Sequence, residues 1–331
     1  MDTLTHTTMG LGLACLAHLD PHVSTSSEMA LTVTFATVIG SNAPDFDIVY
    51  KIKGNSSYYR NHRGSSHSIF VIPLWAFAIT GILTSFSPSI NTVHLFTWTL
   101  LAVILHVFFD LFNVYGTQAA RPFSKKWISF NCIPLFDPFI FVLHIIGFAL
   151  LFVGFHPEYT FSVVYLMIFG YLLERLSSYN RTLAWLKNEV NLDGKYTLIP
   201  TVRWWKWDVI VDTENMIYTG TINYKKVEWH DAFSKQMKNE NLIENASKDQ
   251  KVQDYLASTD YAYTQVTEKD YGYEVRWFDL RFRNKQTYPY IAVVSLNQEG
   301  NILSSYTGWI YENKTLYKKL QLSNHQKMLP S

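Results

Sequence analysis

Apolar residues run in long uncharged blocks along the first half of the chain and alternate with polar ones along the second. From Gly64 to Phe109 there is no Lys, Arg, Asp or Glu, and Pro138–Pro157 and Tyr159–Leu173 are equally free of them. Crossing the hydrocarbon core of a bilayer takes about 20 apolar residues in a helix. Ser66–Ser87 and Val93–Tyr115 meet that length on either side of a Ser-Pro-Ser-Ile-Asn break, and Pro134–Phe155 and Tyr159–Leu176 form a second pair around His156-Pro157. Thr5–Leu19 and Met29–Ser41 are shorter and richer in Thr and Gly. They predict two further helices that cross a thin or distorted region or lie partly buried against the other four.

Beyond Asn180 the texture becomes that of strands. Arg203–Val211 and Met216–Tyr224 flank Asp212-Thr213-Glu214-Asn215, which reads as a hairpin. Tyr261–Thr267, Tyr273–Arg283, Tyr290–Leu296 and Ile302–Tyr311 continue the pattern, with Asn297–Asn301 as a turn and Asn241–Ala257 as one polar helix. The fold class expected is therefore an all-α polytopic membrane bundle over residues 1–177, four longer plus two shorter helices, followed by a soluble α+β, strand-rich domain over 178–331.

Whole-chain composition conceals this division, because 48% apolar residues and a mean hydropathy near zero are what an ordinary soluble protein shows. Charge adds more. The net charge of +1 comes without a basic block, which argues against nucleic acid as a partner. Two distant cysteines, Cys15 and Cys132, build neither a disulfide framework nor a thiolate metal site. The start Met1-Asp2 lacks the basic segment of a cleavable signal peptide, so the first helix is expected to be retained. Lys51, Lys53, Arg60 and Arg63 fall in one loop and Arg121, Lys125 and Lys126 in another, while the intervening turns carry no Lys or Arg. By the positive-inside rule both loops and the C-terminal domain face the cytoplasm. The N-terminus joins them if the two shorter helices also cross. The expected location is the plasma (inner) membrane, multi-pass, with both termini cytoplasmic.

The informative residues are the polar ones that an apolar bundle does not tolerate without reason. His106 and Asp110 are four apart and share a helix face. An Asp at a helix centre costs about 2.5–3.5 kcal/mol on the insertion scale. His6 near the start of the first segment, Asp45 after the second and His67 at the opening of the third reach the same end of an up-and-down bundle as that pair. Imidazoles and carboxylates without thiolate are the ligand set of catalytic zinc, or of manganese or iron. Asp47 and His62 read as partners of such ligands or as plain loop residues. Arg63 and Arg121 read as solvated loop charges or, beside a metal, as bidentate phosphate binders. If the helix opening at Ser66 extends back, Arg63 shares a face with His67. Asn113, Gly116 and Thr117 read as shaping the turn after the fourth helix, Asp137 as a helix N-cap, and His18, His22, His94, His144 and His156 as structural.

The segments Asp2-Thr-Leu-Thr-His6, Pro44-Asp45-Phe-Asp47, His62-Arg63-Gly-Ser-Ser-His67-Ser and His106-x-x-x-Asp110 resemble the motifs of the YdjM-like family of bacterial inner-membrane proteins, described as predicted metal-dependent hydrolases. The resemblance covers about residues 1–175 and does not speak for the C-terminal domain. More remotely, the pattern is similar to zinc-dependent phospholipases C and P1-type nucleases. There it implies that His6, Asp45, His67, His106 and Asp110 bind metal, with Asp2 beside them. Those enzymes continue with further His residues and a His-x-x-x-Glu, which has no counterpart here, since His144 is followed at that spacing by Phe148. The departure favours one or two ions over three.

The function expected is a membrane-bound, metal-dependent hydrolase of a phosphoester, such as a phospholipid, at the cytoplasmic headgroup level. Asp45 would orient or deprotonate the attacking water, and Arg63 or Arg121 would neutralise the phosphate. One alternative is a non-catalytic membrane regulator or sensor with a structural metal site. A metal-ion transporter fits less well, because the ligands gather at one end rather than at the midplane.

Overall fold

The computed structural model describes residues 1–320. Its first half is helical: α1 (Thr3–Leu16), α2 (Pro21–Ser24), α3 (Ser27–Gly40), α4 (Asn55–Asn61), α5 (Val71–Phe86), α6 (Thr92–Asp110), α7 (Pro138–Phe152) and α8 (Pro157–Val190). A 3-10 segment, Ala43–Lys53, and a 3-10 turn, Ser65–His67, join α3 to α4 and α4 to α5. Caps set the helix starts. Asp2, Ser26, Asn91 and Asp137 each accept a backbone N–H in the first turn of α1, α3, α6 and α7.

Two of these helices, α6 and α8, are long and apolar enough to cross a membrane. The four full-length spans expected from hydropathy are not confirmed. The apolar stretch opening at Ser66 is broken: Ser65–His67 forms a tight turn, Ser68 is extended, and α5 starts only at Val71, bent by 81° from the preceding helical segment. Its 16 residues span about 24 Å, against a hydrocarbon thickness of about 30 Å. The stretch opening at Pro134 shortens in the same way, because Asp137 caps α7 at Pro138. The two weaker segments are α1 and α3, displaced by one to three residues from the expected bounds. The bundle's outer face is apolar, with Phe77 63% and Leu166 72% exposed, as a lipid-facing surface requires.

Inside the bundle, α1 packs on α3 closely enough that a Cβ on Gly10 would lie 2.8 Å from the Thr37 carbonyl oxygen. This approach carries His6 toward the loop after α3. Helix α8 continues past residue 177 as a polar helix and buries Leu186 against Leu198, Trp207 and Val209 of the first sheet. Arg175 marks the exit: its Nε donates to the Cys132 carbonyl, its Nη1 to that of Trp204, and its guanidinium lies 4.3 Å from the Trp207 ring.

The C-terminal region holds two four-stranded antiparallel sheets, each in sequential order. The first comprises β1 (Lys195–Pro200), β2 (Lys206–Asp212), β3 (Met216–Asn223) and β4 (Lys226–Ser234). The second comprises β5 (Ala262–Lys269), β6 (Gly272–Asp279), β7 (Tyr290–Leu296) and β8 (Ile302–Trp309). The hairpin around Asp212–Asn215 and the β7–β8 turn form as the sequence predicts. The single polar helix does not. It divides into α9 (Glu240–Ser247) and α10 (Gln250–Leu256), because Asp249 adopts an extended conformation and caps a new helix. A further helix, α11 (Asn313–Lys319), follows β8. The second sheet and α10 lie against the end of the bundle that carries the basic loops: Arg60 pairs with Asp254 at 2.9 Å, Tyr59 packs on Tyr290, and Arg281 Nη1 donates to the Val114 carbonyl at 3.1 Å.

Candidate metal centre

Four of the five expected ligands converge. Asp45, His67, His106 and Asp110 each offer one ligand atom, and these atoms all lie within 4.8 Å of one another. They come from separate elements: the 3-10 segment, the turn before α5, and two successive turns of α6. His106 Nε2 stands 3.1 Å from His67 Nε2, and Asp45 Oδ1 lies 3.5 and 3.6 Å from the same two nitrogens. Asp110 Oδ2 lies 3.4 Å from His67 Nε2 and 3.6 Å from His106 Nε2.

The hydrogen bonds behind each imidazole assign its tautomer. His106 Nδ1 lies 2.7 Å from the Ser41 carbonyl, an acceptor only, so Nδ1 carries the proton. Ser66 gives its hydroxyl proton to Asp47 at 2.9 Å, so its oxygen accepts from His67 Nδ1, also at 2.9 Å. Both Nε2 atoms are then bare lone pairs facing each other. Beside them Asp45 Oδ1 and Asp110 Oδ2 are buried without a hydrogen-bond partner. Two lone pairs and two carboxylate oxygens gathered in a buried space repel unless a cation stands among them. This donor set, two neutral imidazoles and two carboxylates, fits a first-row divalent ion such as zinc, manganese or iron. Burial pushes the His67 pKa well down, which keeps the ring in its ligating form.

His6 stands beside the four rather than among them. Its ring stacks on His106 with centroids 3.8 Å apart, and its Nε2 faces the other Asp110 oxygen at 3.3 Å. Asp110 Oδ1 is also held by the Met1 amine and, at 3.1 Å, by Asn113 Nδ2. Asp2 does not reach the ligands; it caps α1 through Thr5.

Asp47 is the organiser behind His67. It accepts from His62 Nδ1 at 2.8 Å, from the Arg63 backbone N–H at 2.8 Å and from Ser66. Burial would raise its pKa, but the His62 contact lowers it overall and keeps the acceptor ionised. Such outer partners typically account for 10–100-fold in metal affinity. Asp47→Ala should therefore weaken metal binding by about 10–100-fold without abolishing it. Competition with a calibrated chelator reads this directly, and an unchanged affinity would remove Asp47 from the site.

Arg63 is buried, not solvated. Its Nε lies 3.2 Å from Asp110 Oδ2, its Nη1 donates to Asn113 Oδ1 at 2.8 Å and its Nη2 to the Met1 carbonyl at 3.2 Å. No helix connects it to His67, because α4 ends at Asn61 and Arg63 takes a left-handed φ of 59°. The turn, rather than a shared helix face, brings the two together. Arg121 donates to Ser65 Oγ at 2.8 Å and stays in the loop behind the turn.

Asn113 does more than shape its turn: it ties Asp110 to Arg63 and also accepts the N–H groups of Tyr115 and Gly116. Gly116 is required there, with φ of 64° and the Ile128 carbonyl where a Cβ would stand. Asn113, Ser66 and the Ser41 carbonyl are the site members that the sequence reading left out. Of them only Asn113, three residues after Asp110 and just past the end of α6, carries a sequence signal. Among the remaining histidines, His144 is buried between α7 and α8 with Nδ1 on the Ile140 carbonyl. His22 and His94 meet Asp20 at the opposite end of α6, where Asp20 also caps α2 and accepts from Trp98.

Three of the four ligand side chains have no solvent exposure; Asp45, at 19%, is the one that reaches out. It opens into a cavity of about 480 Å³ between the bundle and the second sheet, lined also by His62, Arg63 and Tyr115.

Residues 1–182 match the family described as YdjM inner membrane protein, and residues 241–320 match the YfhP C-terminal alpha/beta plait domain. Over 327 residues the chain is 42% identical to the uncharacterized protein YfhP of Bacillus subtilis (strain 168), a similarity that covers 98% of this chain and all of that protein. No solved structure matches the chain.

Proposed function

The chain belongs to the YdjM inner membrane protein family, and we propose that it is a metal-dependent hydrolase acting on a phosphoester at the cytoplasmic lipid headgroup level. The observation that carries this reading is the placement of Asp45, at once one of four convergent ligands and the one that faces a cavity. A site built only to clamp the fold has no need of an opening.

A divalent cation bound by Asp45, His67, His106 and Asp110 supplies Lewis acidity toward water and a phosphoryl oxygen. Zinc suits the donors best, with one ion at the four convergent atoms. The protein's own share follows from geometry. Asp45 holds the incoming water and takes its proton as the water oxygen bonds to phosphorus. The ester oxygen departs from phosphorus and leaves as the alcohol, taking the proton that Asp45 received from the water. The Arg63 terminal nitrogens carry two N–H donors each and spend one apiece on Asn113 and Met1, which leaves one N–H on each for the phosphoryl group. Asp47 and Asn113 fix the His67 ring and the Asp110 carboxylate so that neither moves during the reaction. Arg121 is the weaker candidate for phosphate, since it stands in the loop behind Ser65.

Metal analysis of the purified protein, followed by a panel of lipid and nucleotide phosphoesters, tests the reading. Wild-type protein carrying a full complement of metal yet hydrolysing nothing would establish the alternative, a membrane regulator with a structural ion. The complete burial of His67, His106 and Asp110 is what favours that alternative.

The basic loops and both termini are proposed to be cytoplasmic. In a variant lacking Cys15 and Cys132, cysteines at Lys53, Lys125 and Lys248 should react with an impermeant maleimide only after cells are opened. Labelling of any of the three from outside intact cells would reverse the orientation.

A further inference from the structure

The cavity above Asp45 has two unlike sides, and neither belongs to the metal-binding residues. Its far wall comes from the C-terminal domain: Ser258, Arg281, Tyr290 and Trp309 line it. The Tyr290 ring packs edge-on against Tyr59 at 5.2 Å and lies 5.3 Å from Trp309 at 31°, and its hydroxyl is 3.3 Å from Ser258 Oγ. That wall therefore offers aromatic faces and hydroxyl groups. It offers little free charge, because Asp279 holds the Arg281 guanidinium in a two-pronged pair at 3.0 and 2.7 Å. The near lip is apolar and exposed, formed by Ile48 and Leu135. Beside Ile48 the 3-10 segment also exposes Phe46, Val49 and Ile52, the last at 86%. An isoleucine so exposed, flanked directly by Lys51 and Lys53, is placed as in a segment resting among lipid headgroups.

We propose that this cavity takes a membrane phosphodiester with a hydroxyl-bearing headgroup, glycerol or a sugar-like ring, and that the C-terminal domain is the wall that reads the headgroup. The inference rests on the hydrolase reading above. Aromatic faces pack against the C–H faces of a polyol while tyrosine and serine hydroxyls exchange hydrogen bonds with it. Lys51 and Arg63 on the bundle side disfavour a quaternary ammonium headgroup, which needs an electronegative cage without competing cations. The apolar part of the ligand leaves past Ile48 and Leu135 into the bilayer. The volume of about 480 Å³ is that of an ordinary small-ligand site and admits a phosphate with one such headgroup.

The test uses the full-length, zinc-loaded protein in nanodiscs with four lipids of identical acyl chains: phosphatidylinositol, phosphatidylglycerol, phosphatidylcholine and phosphatidylmethanol. Phosphatidylmethanol keeps the anionic diester and removes the headgroup. Wild type should favour the two polyol lipids over it by about tenfold in kcat/KM, roughly the worth of one aromatic contact with its hydrogen bond. Soluble glycerophosphoinositol should show a higher KM than its lipid counterpart, because it lacks the chains that pass the apolar lip. Trp309→Ala should raise KM for phosphatidylinositol about tenfold while metal content and the kinetics on phosphatidylmethanol stay within about twofold. Ser258→Ala, which removes one hydroxyl and leaves the packing intact, should shift KM the same way by a smaller factor. Preference for phosphatidylcholine, equal rates on all four lipids, or equal losses on all of them in both variants would overturn the proposal. If wild type hydrolyses none of them, the hydrolase reading falls separately. Equilibrium dialysis of labelled glycerophosphoinositol then decides the wall's role: retention by wild type and loss in Trp309→Ala upholds it, and equal retention or none overturns it.

Discussion

Replacing His106 by Ala is expected to abolish stoichiometric metal and all activity that depends on it, while the helices stay inserted. The imidazole is one of four donors, and its removal leaves Asp45, His67 and Asp110 around a space opened by the lost ring. Binding energies of closed four-ligand zinc sites are about 10–16 kcal/mol, so the loss of one donor should cost at least a thousandfold in affinity, about 4 kcal/mol. Two comparisons sharpen the result. His6 touches Asp110 from the side away from the four and stacks on His106, so His6→Ala should lower affinity only by the 10–100-fold typical of a supporting residue. His144 sits between α7 and α8 with its Nδ1 on its own helix, and His144→Ala should leave metal content unchanged. Elemental analysis of the three proteins, with circular dichroism as the control for helix content, gives the ranking. Metal also stabilises the folded state that binds it. A chelator should therefore lower the melting temperature of wild type and leave that of His106→Ala where it is. Full metal in His106→Ala would place the centre elsewhere.

The sequence made the ligands legible because each is an ionisable group in or beside an apolar run, where burial without a partner is costly. His106 and Asp110 announced themselves by spacing on one helix. Asp45 and His67 did so by falling at the same end of the bundle once the helices were folded up and down. Arg63 was legible as a candidate but not in its geometry. Its position four before His67 suggested a helix, whereas the chain turns at Arg63 and Gly64 and brings the guanidinium back under Asp110. The organising contacts of Ser41 and Ser66 had no sequence signal, because a backbone carbonyl and a lone serine look the same in a turn as in a site. Helix length was misjudged for a related reason. Hydropathy counts residues and does not register that Ser68 is extended or that Asp137 caps a new helix, so apolar stretches read as full spans yielded helices of 16 and 15 residues. In the C-terminal domain the apolar run Tyr290–Leu296 and the turn at Asn297–Asn301 read correctly. β4 escaped because its charged and aromatic residues are mostly exposed on both faces and carry no burial pattern. That this domain walls the cavity was not legible at all, since Ser258, Arg281, Tyr290 and Trp309 are scattered over fifty residues and meet the bundle only in three dimensions.

Arg63→Ala should separate a catalytic arginine from a merely structural one, and the metal makes the separation clean. In chelated protein the substitution removes one of the two cations beside the fully buried Asp110, the other being the Met1 amine, and breaking such a pair costs up to about 3–5 kcal/mol. In metal-loaded protein the ion itself answers the Asp110 charge, so the same variant should lose much less stability. Loaded Arg63→Ala is thus expected to fold, to hold metal and to be assayable. If Arg63 meets the phosphoryl group with its two spare N–H donors, hydrolysis in that loaded protein should fall by about a hundredfold to a thousandfold, the effect of removing one preorganised charge clamp. Arg63→Lys keeps the charge without the fork, and should restore stability more fully than it restores rate. A structural arginine gives the opposite pattern: reduced stability when chelated, and wild-type turnover per bound metal when loaded. Turnover at wild-type level in loaded Arg63→Ala would leave the hydrolase standing and hand the phosphoryl group to another cation lining the cavity, such as Lys51, which lies 4.7 Å above the Tyr58 ring.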